Sequence, residues 1–233
     1  MKHYSPGKKI VIGLKPLFDA LFLAPAFIMK LQMKIKKPIK DFWGYLKKDT
    51  WDSWIVSMLL IVVVIKFVFF PLLTLATGSP LPLVVVESCS MYHETNFDDW
   101  WSKNAQWYQN KGISKEEFKE YNMKNGLNKG DIILVTKPDE YEKGDIIIFL
   151  PNPESTAVNP IIHRIISENP ISTKGDHNTL QFTKNNNIKK LDETDISKER
   201  ILGKSTLRIP YVGWAKLIWF ELSRPEQERG FCN

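Results

Sequence analysis

The sequence predicts a mainly β fold: an antiparallel β-rich domain with a small helical insertion, preceded by one or two membrane-associated N-terminal helices. Three observations carry this. Residues 54–76, WIVSMLLIVVVIKFVFFPLLTLA, form an apolar run long enough to cross a bilayer as a helix. From Gly130 onward, short apolar and β-branched runs recur between Gly, Asp, Pro and Asn. Residues 95–128 are instead polar and aromatic, and their Ser114-x-x-Glu117 spacing is a capping box that marks a helix start.

The apolar run contains one charge, Lys66. A central Lys costs about 2.5–3.5 kcal/mol on the insertion scale, whereas each Leu, Ile, Phe or Val returns about 0.3–0.6 kcal/mol. The run holds sixteen such residues, so insertion wins. Lys30, Lys34, Lys36, Lys37, Lys40, Lys47 and Lys48 precede it, against Asp41 and Asp49, and no basic residue follows closely. The positive-inside rule then places residues 30–50 in the cytoplasm and the rest of the chain after the run on the extracytoplasmic side. Residues 10–29 are interrupted by Lys15, Pro16, Asp19 and Pro25. They fit a second span or, better, an amphipathic helix lying in the interface.

The remaining elements follow in order. Residues 81–91, LPLVVVESCSM, read as a strand that turns polar at its end. GDIILV (130–135), GDIIIF (144–149), PIIHRII (160–166), ILGKSTLRIP (201–210) and GWAKLIWFEL (213–222) read as further short strands. The polar stretch 183–200 reads as a surface loop with a short helix. The domain plan is a basic N-terminal segment (1–53), the span (54–77), the β-rich domain (78–222) and a C-terminal tail (223–233). The Trp-rich stretches near 100–107 and 214–219 fit either an interfacial position or core packing.

The net charge of +6 does not indicate a nucleic-acid partner, because the lysines cluster beside the apolar run. Cys89 and Cys232 form neither a spaced framework nor a metal-ligand pattern. A domain of this size needs no disulfide, and the sequence leaves their pairing open. No metal or cofactor is indicated.

The candidates for chemistry are hydroxyls, a histidine and an acid. At a strand end Ser88 and Ser90 share a face and Cys89 points away. Two such hydroxyls suit acyl transfer, one attacking and the other donating to the oxyanion. His163 lies inside an apolar strand, where an imidazole is costly unless bonded or used. His93 and His177 lie in polar, loop-like surroundings. Asp176, in the turn TKGDHN, is an acid to orient a base.

The ordered words S-C-S-M, G-D-I-I-I-F, I-I-H-R-I-I and T-K-G-D-H-N, behind a membrane span, resemble the boxes of the type I signal peptidases. His in the third word, where bacterial members carry Lys, resembles the archaeal and endoplasmic-reticulum branch. The resemblance covers residues 54–178 and extends more weakly to about 222. It implies a membrane-bound serine endopeptidase that cleaves signal peptides from secretory pre-proteins after small residues at −1 and −3. Ser90 would be the nucleophile, His163 the general base, Asp176 the acidic partner and Ser88 an oxyanion donor. The implied partners are signal peptides and the lipid bilayer.

Three positions depart from the family pattern. Cys89 stands where the serines usually flank Gly, and His93 stands where Pro often follows the Met. Phe182 stands where some relatives have a further Asp, which leaves Asp192 or Asp195 as replacements. These departures also fit an inactive, membrane-anchored relative acting as an interaction module.

Overall fold

A computed structural model describes residues 36–226 and 229–232. The proposed interfacial or spanning helix at 10–29, and the start of the lysine block, lie outside the described residues. The chain divides into two compact units, residues 1–66 and 67–233.

In the first unit, residues 36–46 are helical and lead through a short turn into α1 (Trp51–Thr77). The turn is pinned by its own polar groups. The fully buried Ser53 hydroxyl donates to the carbonyls of Tyr45 and Leu46, and Tyr45 donates to Asp52 at 2.7 Å. α1 is long and apolar enough to cross a membrane, and no residue of its most hydrophobic window is buried. A π-helical turn, Ile65–Phe69, interrupts it just before Pro71. Proline has no N–H and its ring would press on the carbonyl four residues back, so the backbone widens there.

In the second unit, α1 ends at Gly78 in the left-handed conformation. The chain then forms β1 (Leu83–Val85), α2 (Phe97–Gln109), α3 (Lys115–Glu120), β2 (Ile132–Thr136), β3 (Ile146–Phe149), β4 (Ile161–Glu168), β5 (Ile171–Lys174), β6 (Ile201–Ile209) and α4 (Trp214–Glu221). The strands make one antiparallel sheet in the order β1-β2-β6-β3-β4-β5, so β1 and β5 are its edges. The antiparallel sheet matches the expectation. The label "mainly β" overstates it, because helical residues outnumber strand residues among those described.

Alternation explains the core. β3 is buried at all four positions, with Ile146 and Ile148 in one apolar cluster and Ile147 and Phe149 in another. A strand buried on both faces sends successive side chains to opposite sides. A third cluster is the helical insertion, where Trp100, Trp101, Tyr108 and Phe118 pack together beside Ile166. Trp100 and Trp101 are core residues, each 4% exposed. The capping box is present: the Ser114 hydroxyl accepts from the Glu117 N–H at 3.1 Å.

Two elements differ from the sequence reading. Residues 213–222 form a helix, α4, instead of a strand. Apolar side chains follow one another there with no period of two, and the Lys129 carbonyl accepts from the Trp214 indole at its start. Residues 88–91 are a turn, not a continuation of β1.

Candidate active site

β4 sets the site by alternation. His163 and Arg164 are adjacent, so they point to opposite faces of the sheet. His163 shares the face of Ile165, and Arg164 that of Ile162 and Ile166. Each meets a different acid.

Arg164, fully buried, meets Asp176. Its Nη2 donates to Asp176 Oδ2 at 2.7 Å and its Nε to Oδ1 at 3.0 Å. Its remaining donors reach the carbonyls of Asn122, Met123 and Gly144. Asp176 also lies 3.1 Å from His93 Nε2 and accepts from the Tyr108 hydroxyl at 3.3 Å. The His93 ring stacks on Trp100 with centroids 3.7 Å apart. Burial pushes the Asp176 carboxyl up, but the Arg164 charge and the bonds from His93 and Arg164 outweigh it and hold the group well below the usual carboxylate range.

His163, 3% exposed, meets Glu193, which is completely buried. His163 Nδ1 and Glu193 Oε1 are in direct hydrogen-bond contact. Glu193 is held from three sides: its Oε2 accepts from the Phe182 N–H at 3.0 Å, its carbonyl accepts from the Thr173 N–H at 2.9 Å, and its N–H donates to Phe182. The acid on the candidate base is therefore Glu193. Asp176, expected there, is engaged with Arg164, because residues 163 and 164 face opposite ways. Neither Asp192 nor Asp195 takes this position: Asp192 caps the Thr194 N–H and hydroxyl. Phe182, at the place of the missing Asp, supplies the backbone N–H that orients Glu193, and its ring lies 6.4 Å from the His163 ring.

The serine turn approaches the other edge of His163. A Cβ on Gly175 would lie 2.7 Å from both His163 Nε2 and the Ser90 carbonyl oxygen. These two atoms are thus within twice that distance of one another, and only glycine leaves room between them. The Ser90 carbonyl is fixed by the His177 N–H at 2.9 Å, and the Met91 carbonyl by the Leu127 N–H at 2.8 Å. Ser88 Oγ and Ser90 Oγ are 3.2 Å apart. The two hydroxyls meet through a turn, in place of the expected strand alternation. In this structure the Ser90 hydroxyl pairs with Ser88, not with His163. Asn178 Nδ2, buried on the same glycine strip, has no hydrogen-bond partner among the described residues.

Two further features were not expected. Cys89 is disulfide-bonded to Cys232, with Cα atoms 5.6 Å apart, which ties the serine turn to the C-terminal tail. Lys174 is 1% exposed, donates to the Gly175 carbonyl at 3.0 Å and lies over the Trp107 and Tyr108 rings. Burial pushes its amine down to about 8, although Asp176 and Glu193 oppose this.

Glu193 carried no signal in the sequence, because it sits in a polar stretch without periodicity. Its placement depends on bonds to β5 and to Phe182. The chain matches no family model and no curated protein.

Proposed function

We propose that the protein is a membrane-anchored serine endopeptidase that removes signal peptides from secretory pre-proteins. The observation that carries the reading is the buried Glu193–His163 pair, with the far edge of its imidazole beside the Ser88–Ser90 turn. Glu193 on Nδ1 favours the tautomer whose Nε2 is an acceptor. Ser90 Oγ attacks the carbonyl carbon of the −1 residue, and its proton passes to His163 Nε2. The Ser88 hydroxyl and the Ser90 N–H stabilise the oxyanion. His163 then gives the proton to the leaving amine, and water releases the acyl group by the reverse path. The Ser90–His163 bond forms when substrate displaces the Ser90–Ser88 pairing, as apo catalytic bonds often tighten only with substrate.

Two features support the substrate class. β1, just upstream of Ser90, is an edge strand, so an extended peptide can add beside it. Such binding sends the −1 and −3 side chains to the same wall and favours small residues there. α1 supplies the anchor, with residues 30–50 cytoplasmic and residues 80–233 outside. Protease treatment of right-side-out cells should digest the 80–233 region; its protection there, with digestion in inverted vesicles, would reverse the topology.

The deciding experiment incubates the purified full-length chain with a panel of membrane pre-proteins and sequences the new N-termini. Cleavage after small residues, absent with Ser90→Ala, is expected. Efficient cleavage after Leu or Phe would overturn the specificity. No cleavage of any pre-protein would favour the inactive interaction module, a reading to which the Ser88–Ser90 pairing and Cys89 in the serine box lend weight.

A further inference from the structure

We propose that Asn178 holds the water that frees the acyl group from Ser90, so that the release half of the reaction has a residue of its own; this rests on the endopeptidase reading. The starting observation is a polar atom with nothing to bond. Asn178 Nδ2 is buried and has no hydrogen-bond partner among the described residues. A buried donor left unpaired is costly, and folds seldom keep one without a use.

The surroundings specify the use. A Cβ added to Gly175 would meet three atoms at almost one distance: Asn178 Nδ2 at 2.6 Å, and His163 Nε2 and the Ser90 carbonyl oxygen at 2.7 Å each. The three atoms therefore converge on the space in front of Gly175. Nδ2 lies no farther from either of the others than the sum of two such distances, a span that one water can bridge. The chemical types also suit a single water. His163 Nε2 is an acceptor, because Nδ1 engages Glu193. The Ser90 carbonyl accepts from the His177 N–H with one lone pair and keeps a second. Asn178 Nδ2 is a donor. A water that donates to the two acceptors and accepts from the donor keeps one lone pair, with which it attacks. The opposite orientation of the amide would set its oxygen against two acceptors.

The fold holds Asn178 to this geometry. Its N–H donates to the Gly175 carbonyl at 3.0 Å, which closes a turn over 175–178. Arg164 anchors that turn at Asp176, and the Ser90 carbonyl anchors it at His177. The Asp176 cluster thus serves the other pair by fixing the turn that carries Asn178.

The step balances without any further group. After the amine product leaves, the water oxygen bonds to the acyl carbon as one of its protons passes to His163 Nε2. The tetrahedral intermediate collapses with cleavage of the bond from that carbon to Ser90 Oγ, which takes the proton back from Nε2. The signal-peptide fragment departs as a carboxylic acid and loses its remaining proton to solvent. Asn178 bonds the water alone, so it acts on release and not on the attack by Ser90.

The test uses the full-length chain in detergent and one signal-peptide substrate in two forms, with an amide or an ester at the scissile bond. The ester acylates Ser90 quickly, so kcat on it reads release, whereas kcat/KM on the amide reads acylation. The variants are Asn178→Ala and Asn178→Leu, the second keeping the size of the side chain without its donor. In both, kcat on the ester should fall by about 10- to 100-fold, as for one lost hydrogen bond to a reacting group. KM should fall with it, and intact-mass spectra of acid-quenched samples should show the acyl adduct on Ser90. On the amide, kcat/KM should stay within about twofold of the parent's. Hydroxylamine, a stronger nucleophile than water, should restore ester turnover in the variants, with the hydroxamate as product. An equal fall in kcat/KM on the amide, or ester turnover at the parent's level, would overturn the assignment of Asn178 and leave Ser90 and His163 in place. Absence of both cleavage and adduct in the parent would overturn the endopeptidase reading and this step with it.

Discussion

Two buried histidine–carboxylate pairs stand on opposite faces of one strand, and they are finished to different degrees. Around Asp176 the carboxylate itself is saturated: Arg164 bridges it to three carbonyls, Tyr108 and His93 Nε2 bond it and the His93 ring is stacked on Trp100, which leaves the buried His93 Nδ1 without a partner among the described residues. Around Glu193 one edge of the imidazole is bonded, and the other faces a glycine and the Ser90 carbonyl. A saturated carboxylate paired to a buried Arg in a low-dielectric interior serves as a rivet, because breaking the pair strands a charge. A cluster with one unused ring nitrogen beside a hydroxyl pair has the form of a proton-transfer site. The two motifs T-K-G-D-H-N and I-I-H-R-I-I contribute to both, so the sequence words alone do not tell rivet from site.

The largest effect should come from the unfinished pair. Ser90→Ala and His163→Ala should each lower turnover by about 10⁴-fold or more, and the double variant should be little worse, since such residues act as a unit. The thermal midpoint of Ser90→Ala should stay near the parent's, whereas His163→Ala also leaves the buried Glu193 carboxylate unpaired and should lower it. Wild-type turnover in His163→Ala would remove the chemical role of the unfinished pair.

The two acids should separate activity from stability. Glu193→Gln should cost about 10³–10⁴-fold in kcat by favouring the wrong tautomer, with a modest change in midpoint. Asp176→Asn should destabilise by about 3–5 kcal/mol by leaving Arg164 uncompensated, with kcat per folded molecule largely kept. The pH dependence has a definite sign. The Asp176 carboxyl is held below its unfolded value, so its contribution is fully present above about pH 5 and is lost as pH falls toward its folded value. Denaturant titrations from pH 6 downward should show that loss in the parent and a flatter profile in Asp176→Asn. If the two variants exchanged behaviours, with Asp176→Asn losing kcat and Glu193→Gln losing stability, the roles would be reversed.

Local signals were legible where local physics decides. The Ser114 cap, the β-branched runs of β2, β3, β4 and β6, and the apolar length of α1 each depend on near neighbours in the chain. The burial of His163 was legible for the same reason, whereas the strand alternation expected at Ser88 and Ser90 is replaced by a turn. Long-range choices were not. Residues 213–222 are apolar enough for a strand, and their helix is fixed by Gly213 on Gly130, Trp214 on Lys129 and Lys129 on Glu221. Glu193 reaches His163 only because its backbone is bonded to Thr173 and Phe182. Cys89 and Cys232 are separated by 143 residues, a distance over which spacing carries no information.

The disulfide connects the unfinished pair to the tail and should act mainly on stability. Cys89→Ala and Cys232→Ala should each cost about 2–4 kcal/mol, and by the same amount, because either removes the same link. Equal losses in calorimetric midpoint are expected. A loss with Cys89→Ala that Cys232→Ala does not share would show that Cys89 acts in the serine turn by itself.

Lys174 is the mildest test, since it lies between the two pairs and is itself incompletely compensated. Its folded pKa of about 8 lies below the ordinary 10.5, so the unfolded chain binds more protons between these values. Stability should therefore rise with pH from about 8 to 10.5 as the buried amine becomes neutral in both states, and the charged amine costs stability at neutral pH. Two and a half pKa steps correspond to at most about 3 kcal/mol. Lys174→Met would recover that but would lose the bond to the Gly175 carbonyl, about 1 kcal/mol, and the contact with Trp107 and Tyr108, about 0.5–2 kcal/mol. The net expectation is a gain of between zero and about 1.5 kcal/mol at pH 7, turning to a loss above pH 10, where the parent no longer bears the charge. Chemical denaturation at both pH values measures the crossing. A variant less stable than the parent by the same amount at both would mean that Lys174 is a packing element whose charge has no consequence, and that the glycine strip between the two pairs is held by shape alone.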